Sequence, residues 1–135
     1  MATRRTINDL LSSSRAGLER LRPEEASAAV RAGALLIDTR CGELRDSDGV
    51  VPGSVHVPLS VLFWRLDPAS GYDDAALSDV DRQVILLCAH GYSSSLAAAT
   101  LRELGFLRAT DVIGGFEAWK DAGLPVVEAA DRPQG

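Results

Sequence analysis

Val84-Ile85-Leu86-Leu87-Cys88-Ala89-His90-Gly91-Tyr92-Ser93 is the stretch that decides the fold. Its first four residues are an unbroken apolar run, the pattern of a parallel strand covered on both faces. A cysteine follows at once, then small and polar residues. The segment from Ser94 to Leu104 is rich in alanine and predicts a helix, with Gly105 as its stop. Working outward, Leu35-Leu36-Ile37 is a second buried run and ends in Asp38-Thr39-Arg40-Cys41-Gly42. Val55, Val57 and Leu59 alternate with His56 and Pro58, predicting a strand near Ser54–Val57. Asp111-Val112-Ile113 predicts another strand, closed by Gly114-Gly115. Between these lie helical signals: Pro23 to Arg31, with Gly33 as its stop, Val61 to Leu66, and Phe116 to Ala122 before Gly123. Ile7, Leu10, Leu11, Leu18 and Leu21 predict one further helix with a loose middle at Ser12-Ser13-Ser14 and Gly17. Strands alternating with helices predict an α/β domain with a central, mainly parallel sheet flanked by helices in three layers. In such sheets ligands bind beyond the carboxyl ends of the strands. Cys88, the segment Asp38–Cys41 and Gly114-Gly115 all follow strand ends, so parallel strands bring them to one edge.

The chain has 135 residues, enough for one domain with its own core. Hydrophobic residues make up 46% and charged residues 24%, a globular composition. The net charge of -5 argues against nucleic acid as a partner, because phosphate binding needs clustered Lys and Arg. No apolar stretch is long enough to span a bilayer, and Met1 to Leu11 holds no apolar signal segment. Neither membrane nor secretion is therefore expected, and the expected compartment is the cytoplasm. Two cysteines, Cys41 and Cys88, do not make a disulfide framework.

A thiol reacts as its thiolate, so a reactive cysteine needs neighbours that favour the anion. Cys88 stands between a buried strand and a helix N-terminus. A loop curling there aims backbone N–H groups inward, and Gly91 allows the curl. Ser93, Ser94 and Ser95 add hydroxyl donors and cap candidates. The chemistry that fits is nucleophilic: Cys88 takes a sulfur and a second nucleophile removes it. The plainer reading is a small residue packed at a strand end.

The chain resembles the rhodanese family from about Leu21 to Val127, through five pieces in order. These are Pro23-Glu24-Glu25-Ala26, Leu36-Ile37-Asp38-Thr39-Arg40, Gly49-Val50-Val51-Pro52-Gly53-Ser54-Val55-His56-Val57-Pro58, Val84 to Ser93, and Gly114-Gly115-Phe116-Glu117-Ala118-Trp119 with Gly123-Leu124-Pro125-Val126. The resemblance implies a rhodanese-like domain over 22–127, with an N-terminal helical extension at 1–21 and a flexible tail at 128–135. It implies a sulfurtransferase with Cys88 as the catalytic, sulfur-carrying nucleophile and Ala89, His90, Gly91, Tyr92 and Ser93 as the substrate cradle. It implies no cofactor and no metal. Its partners would be a small sulfur donor and a thiol or protein acceptor; the sequence carries no signal for oligomeric state. The loop departs from thiosulfate-using members, which usually carry Arg or Lys beside the cysteine; Ala89 and His90 stand there. Val50 replaces a histidine of the third piece. Both departures bear on thiosulfate as donor more than on persulfide chemistry.

Other residues are weighed against plainer roles. His90 is a candidate titratable cation in the loop, or simply an exposed histidine. Asp38 is expected to support the site edge with Gly114 and Gly115. Arg40 is expected to pair with Asp38, with substrate contact as its sharper role. Arg65, after Phe63-Trp64, is a second candidate cation, or a solvated arginine beside a core tryptophan. Cys41 is a candidate resolving thiol, although a silent one is the simpler expectation. A zinc site from Cys41, His56, Cys88 and His90 matches no common spacing. Two other functions compete with the enzyme: a non-catalytic, regulatory module presenting the loop to a partner protein, and a phosphatase. The phosphatase needs a loop ending in an arginine that clamps phosphate, where this chain has Ser93 and Ser94.

Overall fold

The computed structural model describes residues 3–129. Most of the tail expected at 128–135 lies outside the described residues. The elements run α1 (Ile7–Ala16), α2 (Pro23–Arg31), β1 (Leu35–Asp38), α3 (Gly42–Asp48), β2 (Val55–His56), α4 (Leu62–Leu66), β3 (Val84–Leu87), α5 (Ser93–Glu103), β4 (Ala109–Asp111) and α6 (Gly115–Asp121). Their strands form one parallel sheet in the order β2-β1-β3-β4.

Side chains of a strand point alternately to its two faces. In β1 and β3 every position is buried, so both faces must be covered. Leu35, Ile37, Val84 and Leu86 pack on one face with Ala97, Ala98, Leu101 and Phe106 from α5 and its exit, and with Leu62 and Leu66 of α4. Leu36, Ile85 and Leu87 pack on the other with Ala26 of α2 and Phe116 and Trp119 of α6. This is the three-layer α/β arrangement expected from the sequence. Parallel register places Asp38 beside Leu87, so the chain segments leaving β1 and β3 emerge together.

Three elements differ from expectation. The helix expected over Ile7–Leu21 stops at Gly17, and Leu18–Leu21 run on to the sheet, where Leu21 bridges Val112 in parallel. The Leu21 N–H donates to Asp111 O at 3.1 Å and the Ile113 N–H to Leu21 O at 2.8 Å. The strand expected at Asp111–Ile113 lies earlier, with Ala109 opposite Val84 and Asp111 opposite Leu86. The β-branched pair Val112-Ile113 suggested the later position; the carboxylate of Asp111 nonetheless enters the sheet fully buried because Arg20 neutralises it. α3 had no apolar periodicity to announce it, since its one large apolar residue, Leu44, is exposed.

Phe106 is fully enclosed among α5, β3 and β1, while its neighbour Leu107 is 67% exposed. Phe106→Ala is expected to cost about 3–5 kcal/mol of stability. Leu107→Ala should stay within about 0.5 kcal/mol of the parent. Urea unfolding at unchanged m-value measures both.

Candidate active site

The loop from Cys88 to Tyr92 leaves β3 and turns into α5. Its carbonyls are held from outside. The first N–H groups of α6 take two of them: Phe116 N–H donates to Cys88 O at 2.8 Å and Glu117 N–H to Ala89 O at 3.1 Å. Arg15 Nη2 and Arg20 Nη2 donate to the third, Gly91 O, at 2.7 and 3.1 Å. Between the second and third of these carbonyls, the Gly91 N–H turns inward and donates to Cys88 Sγ at 3.1 Å. Two glycines make this possible. Gly91 has φ +82°, and a Cβ there would meet Gly114 N at 2.8 Å. Gly115 has φ +63°, and a Cβ there would meet Cys88 O at 2.4 Å and Gly91 N at 2.7 Å. Gly114 and Gly115, expected to support the site edge, thus lie with their backbone directly against the loop.

Cys88 is 6% exposed. Burial pushes its thiol up, but the Ser94 hydroxyl, the Ser94 N–H, the Ser93 hydroxyl and the Gly91 N–H outweigh burial and hold it below the ordinary value. The thiol donates to Ser94 Oγ at 3.2 Å. Ser94 in turn donates to Asp111 Oδ2 at 2.7 Å, and Ser95 donates to the same oxygen at 2.8 Å. Both serines are fully buried at the start of α5, where N–H groups have no partner within the helix.

The other singled-out residues are placed as follows. His90 points outward and its Nδ1 lies 2.7 Å from Glu117 Oε2, with both side chains largely exposed. Tyr92 is 62% exposed, with the Arg15 guanidinium 5.5 Å from its ring centroid. Asp38 and Arg40 form a two-point pair inside the fold, Nε to Oδ1 at 3.1 Å and Nη2 to Oδ2 at 2.8 Å. Arg40 also donates to Gly49 O and lies 3.8 Å from the Phe116 ring centroid. With its side chain almost wholly enclosed, Arg40 has the geometry of a support for α6 rather than of a substrate contact. Arg65 is turned to the loop after α4, donating to Tyr72 O at 2.9 Å and lying 3.5 Å from Asp74. Cys41 is exposed at the start of α3. His56 Nε2 lies 2.8 Å from Arg40 O. No group of three His, Cys, Asp or Glu side chains that could hold a metal ion occurs among the described residues. No helix among them is long and apolar enough to cross a membrane.

Asp111, Arg20 and Arg15 did not stand out in the sequence. One signal was there: an aspartate opening an apolar Val-Ile pair is a buried carboxylate in need of a cation. Nothing local pointed to arginines so far upstream.

Residues 22–122 match the family described as Rhodanese-like domain. The chain belongs to the rhodanese-like family. It is 38% identical over 102 residues to the thiosulfate sulfurtransferase GlpE of Pseudomonas savastanoi, a stretch covering 76% of this chain and 87% of that protein. Among solved structures it is similar to a Rhodopseudomonas palustris protein of unknown function, described as a possible tyrosine phosphatase. That match has 30% identity and TM-score 0.85, and covers 94% of this chain and 98% of the other. A rhodanese-related protein of Thermoplasma volcanium matches with 26% identity and TM-score 0.62, covering 82% and 98%. The rhodanese-like sheet expected from the five sequence pieces is therefore the fold observed.

The Gly115 contact gives a test. Gly115→Ala is expected to destabilise the protein by more than about 2 kcal/mol, because left-handed backbone and a backbone clash combine. It should also slow alkylation of Cys88 by disturbing the loop. Gly123→Ala also introduces a side chain at positive φ, but into open space. It should cost about 1 kcal/mol and leave the alkylation rate alone.

Proposed function

We propose that this rhodanese-like protein is a sulfurtransferase that carries sulfane sulfur as a persulfide on Cys88. The observation that carries the reading is the sulfur of Cys88 itself. It stands at the end of a buried strand, faces the inward N–H of Gly91 and the hydroxyls of α5, and is favoured as thiolate by them. The thiolate attacks the outer sulfur of a donor such as thiosulfate. The donor's S–S bond breaks, and sulfite leaves with the electron pair. The terminal sulfur of the persulfide is again an anion, suited to inward N–H donors. A thiolate or other thiophilic acceptor then attacks that outer sulfur, and Cys88 leaves as thiolate. The loop residues Ala89 to Ser93 form the cradle in this reading, with Asp38, Arg40, Gly114 and Gly115 supporting it. The sulfurtransferase relatives at about this identity support the assignment. Phosphoryl transfer fits less well, because no arginine lies between Cys88 and Arg102 to clamp a phosphate.

Mass spectrometry after incubation with thiosulfate or a small persulfide tests the reading. A gain of one sulfur on Cys88 supports it. No gain with either donor favours a module that presents its loop to a partner protein. Cys88→Ser should abolish transfer, and Cys41→Ser should largely preserve it, since only Cys88 has the inward donors. Equal loss in both variants would show the thiols working as a pair.

The donor preference can be tested at His90. Its imidazole faces the Glu117 carboxylate, so the loop offers a doubly charged donor little net positive charge. His90→Arg should lower KM for thiosulfate several-fold, because arginine keeps its charge and grips oxyanions. Adding Glu117→Gln should lower it further, and a neutral donor should respond little. Thiosulfate kinetics unchanged in His90→Arg but crippled in Arg65→Ala would place the needed cation on Arg65.

A further inference from the structure

The polar groups behind Cys88 form one connected chain that starts before the family match begins. Arg20 grips Asp111 at two points, Nε to Oδ1 at 2.9 Å and Nη2 to Oδ2 at 3.2 Å. Ser95 and Ser94 both donate to Oδ2 of that carboxylate. Arg15 Nε donates to Ser95 Oγ at 3.1 Å, and Ser94 Oγ lies against Cys88 Sγ. Arg15 and Arg20 fall outside residues 22–122.

Ser94 has one hydroxyl hydrogen and two neighbours that can accept it, Asp111 Oδ2 and Cys88 Sγ. While Cys88 is a thiol, its own hydrogen points to Ser94 Oγ and the Ser94 hydrogen points to Asp111. Once the thiol proton has passed to water, that arrangement turns a lone pair of Ser94 toward an anion. The hydroxyl then has reason to rotate, breaking its bond to Asp111 and making one to sulfur. Asp111 is fully buried, so losing a donor is costly unless other donors keep the carboxylate satisfied. Arg20 and Ser95 are those donors.

We propose that Arg20 and Asp111 are positioning residues for Cys88: Arg20 keeps the buried carboxylate satisfied, so that the Ser94 hydroxyl is free to turn to the sulfur anion. The segment before α2 thereby becomes part of the site, supplying from outside the family-matched region a cation that the loop itself does not carry. The other charged groups around Cys88 are accounted for. Arg15 lies behind Gly91 and Ser95. His90 and Glu117 face each other at the surface. Arg40 is paired with Asp38, which Arg45 also approaches at 3.2 Å, beneath Phe116. Only Asp111 shares a hydroxyl with the sulfur among the described residues. The inference rests on Cys88 being the nucleophile, but its test needs no sulfur donor.

The experiment is the pH profile of iodoacetamide alkylation of Cys88, in a Cys41→Ser background because Cys41 is exposed. Arg20→Ala removes the cation and leaves Asp111 holding Ser94, so the midpoint should rise by about one pH unit. Arg20→Lys should recover part of that shift. Asp111→Asn removes the competing charge, so the midpoint should fall. Arg22→Ala, in an exposed pair with Glu25, should leave the midpoint in place. A merely structural cluster would loosen in both variants and move Arg20→Ala and Asp111→Asn the same way. That outcome, or no movement in either folded variant, overturns the proposal. If Arg20→Ala fails to fold, the near-isosteric Ser95→Ala decides: it deprives Asp111 of one donor and should raise the midpoint, and an unchanged midpoint overturns the proposal. A responsive midpoint in a protein that never gains sulfur would remove the sulfurtransferase reading and leave this one standing.

Discussion

The two hydrogen bonds from the start of α6 to the carbonyls of Cys88 and Ala89 are the constraint on which the rest of the site depends. A peptide unit whose C=O is captured on one side must show its N–H to the other. Phe116 and Glu117 thus fix the two peptide units that follow Cys88, and the next N–H along the chain, that of Gly91, faces the sulfur. The contact is close enough that only glycine fits at 91 and 115. α6 is in turn anchored by Phe116 and Trp119 in the sheet's second core, with Arg40 stacked on Phe116. The Asp38–Arg40 pair therefore reaches Cys88 through an aromatic ring and a backbone N–H, without touching the sulfur.

The opposite side of the loop is governed by charge rather than by packing. Asp111 sits in the sheet with no exposed surface, which is tolerable only because Arg20 and two serines surround it. Arg20 and Arg15 also close on Gly91 O, so the third carbonyl is held by the N-terminal segment as the first two are held by α6. Leu21 stitches that segment to the sheet beside Asp111.

What was legible in the sequence follows from the range of each interaction. The bounds of β3 and the stops of α2 and α5 rest on local chemistry: an unbroken apolar run, a proline start, a glycine end. They were read within a residue. Cys88 stood out because a cysteine between a buried run and a serine-rich helix start is unusual in itself. The rest depends on contacts across the chain. Asp111 was read as opening a strand, although it closes one, because its burial is made possible by an arginine 91 residues away. The helix at 42–48 and the end of α1 at Gly17 were missed because neither is marked by an apolar stripe. The pairing of His90 with Glu117 needs α6 folded back over the loop, which no local pattern reveals.

The capture of three of the loop's carbonyls from outside has a consequence for the energetics of the loop. Donors that converge on one point repel each other's partial charges when nothing negative lies between them, and a flexible loop would relax by turning some of them away. This loop has little freedom to do so, since Cys88 O, Ala89 O and Gly91 O are each tethered by another element. The orientational entropy is surrendered when the chain folds, not when an anion arrives. The donors around the Cys88 sulfur are therefore set in place by folding itself.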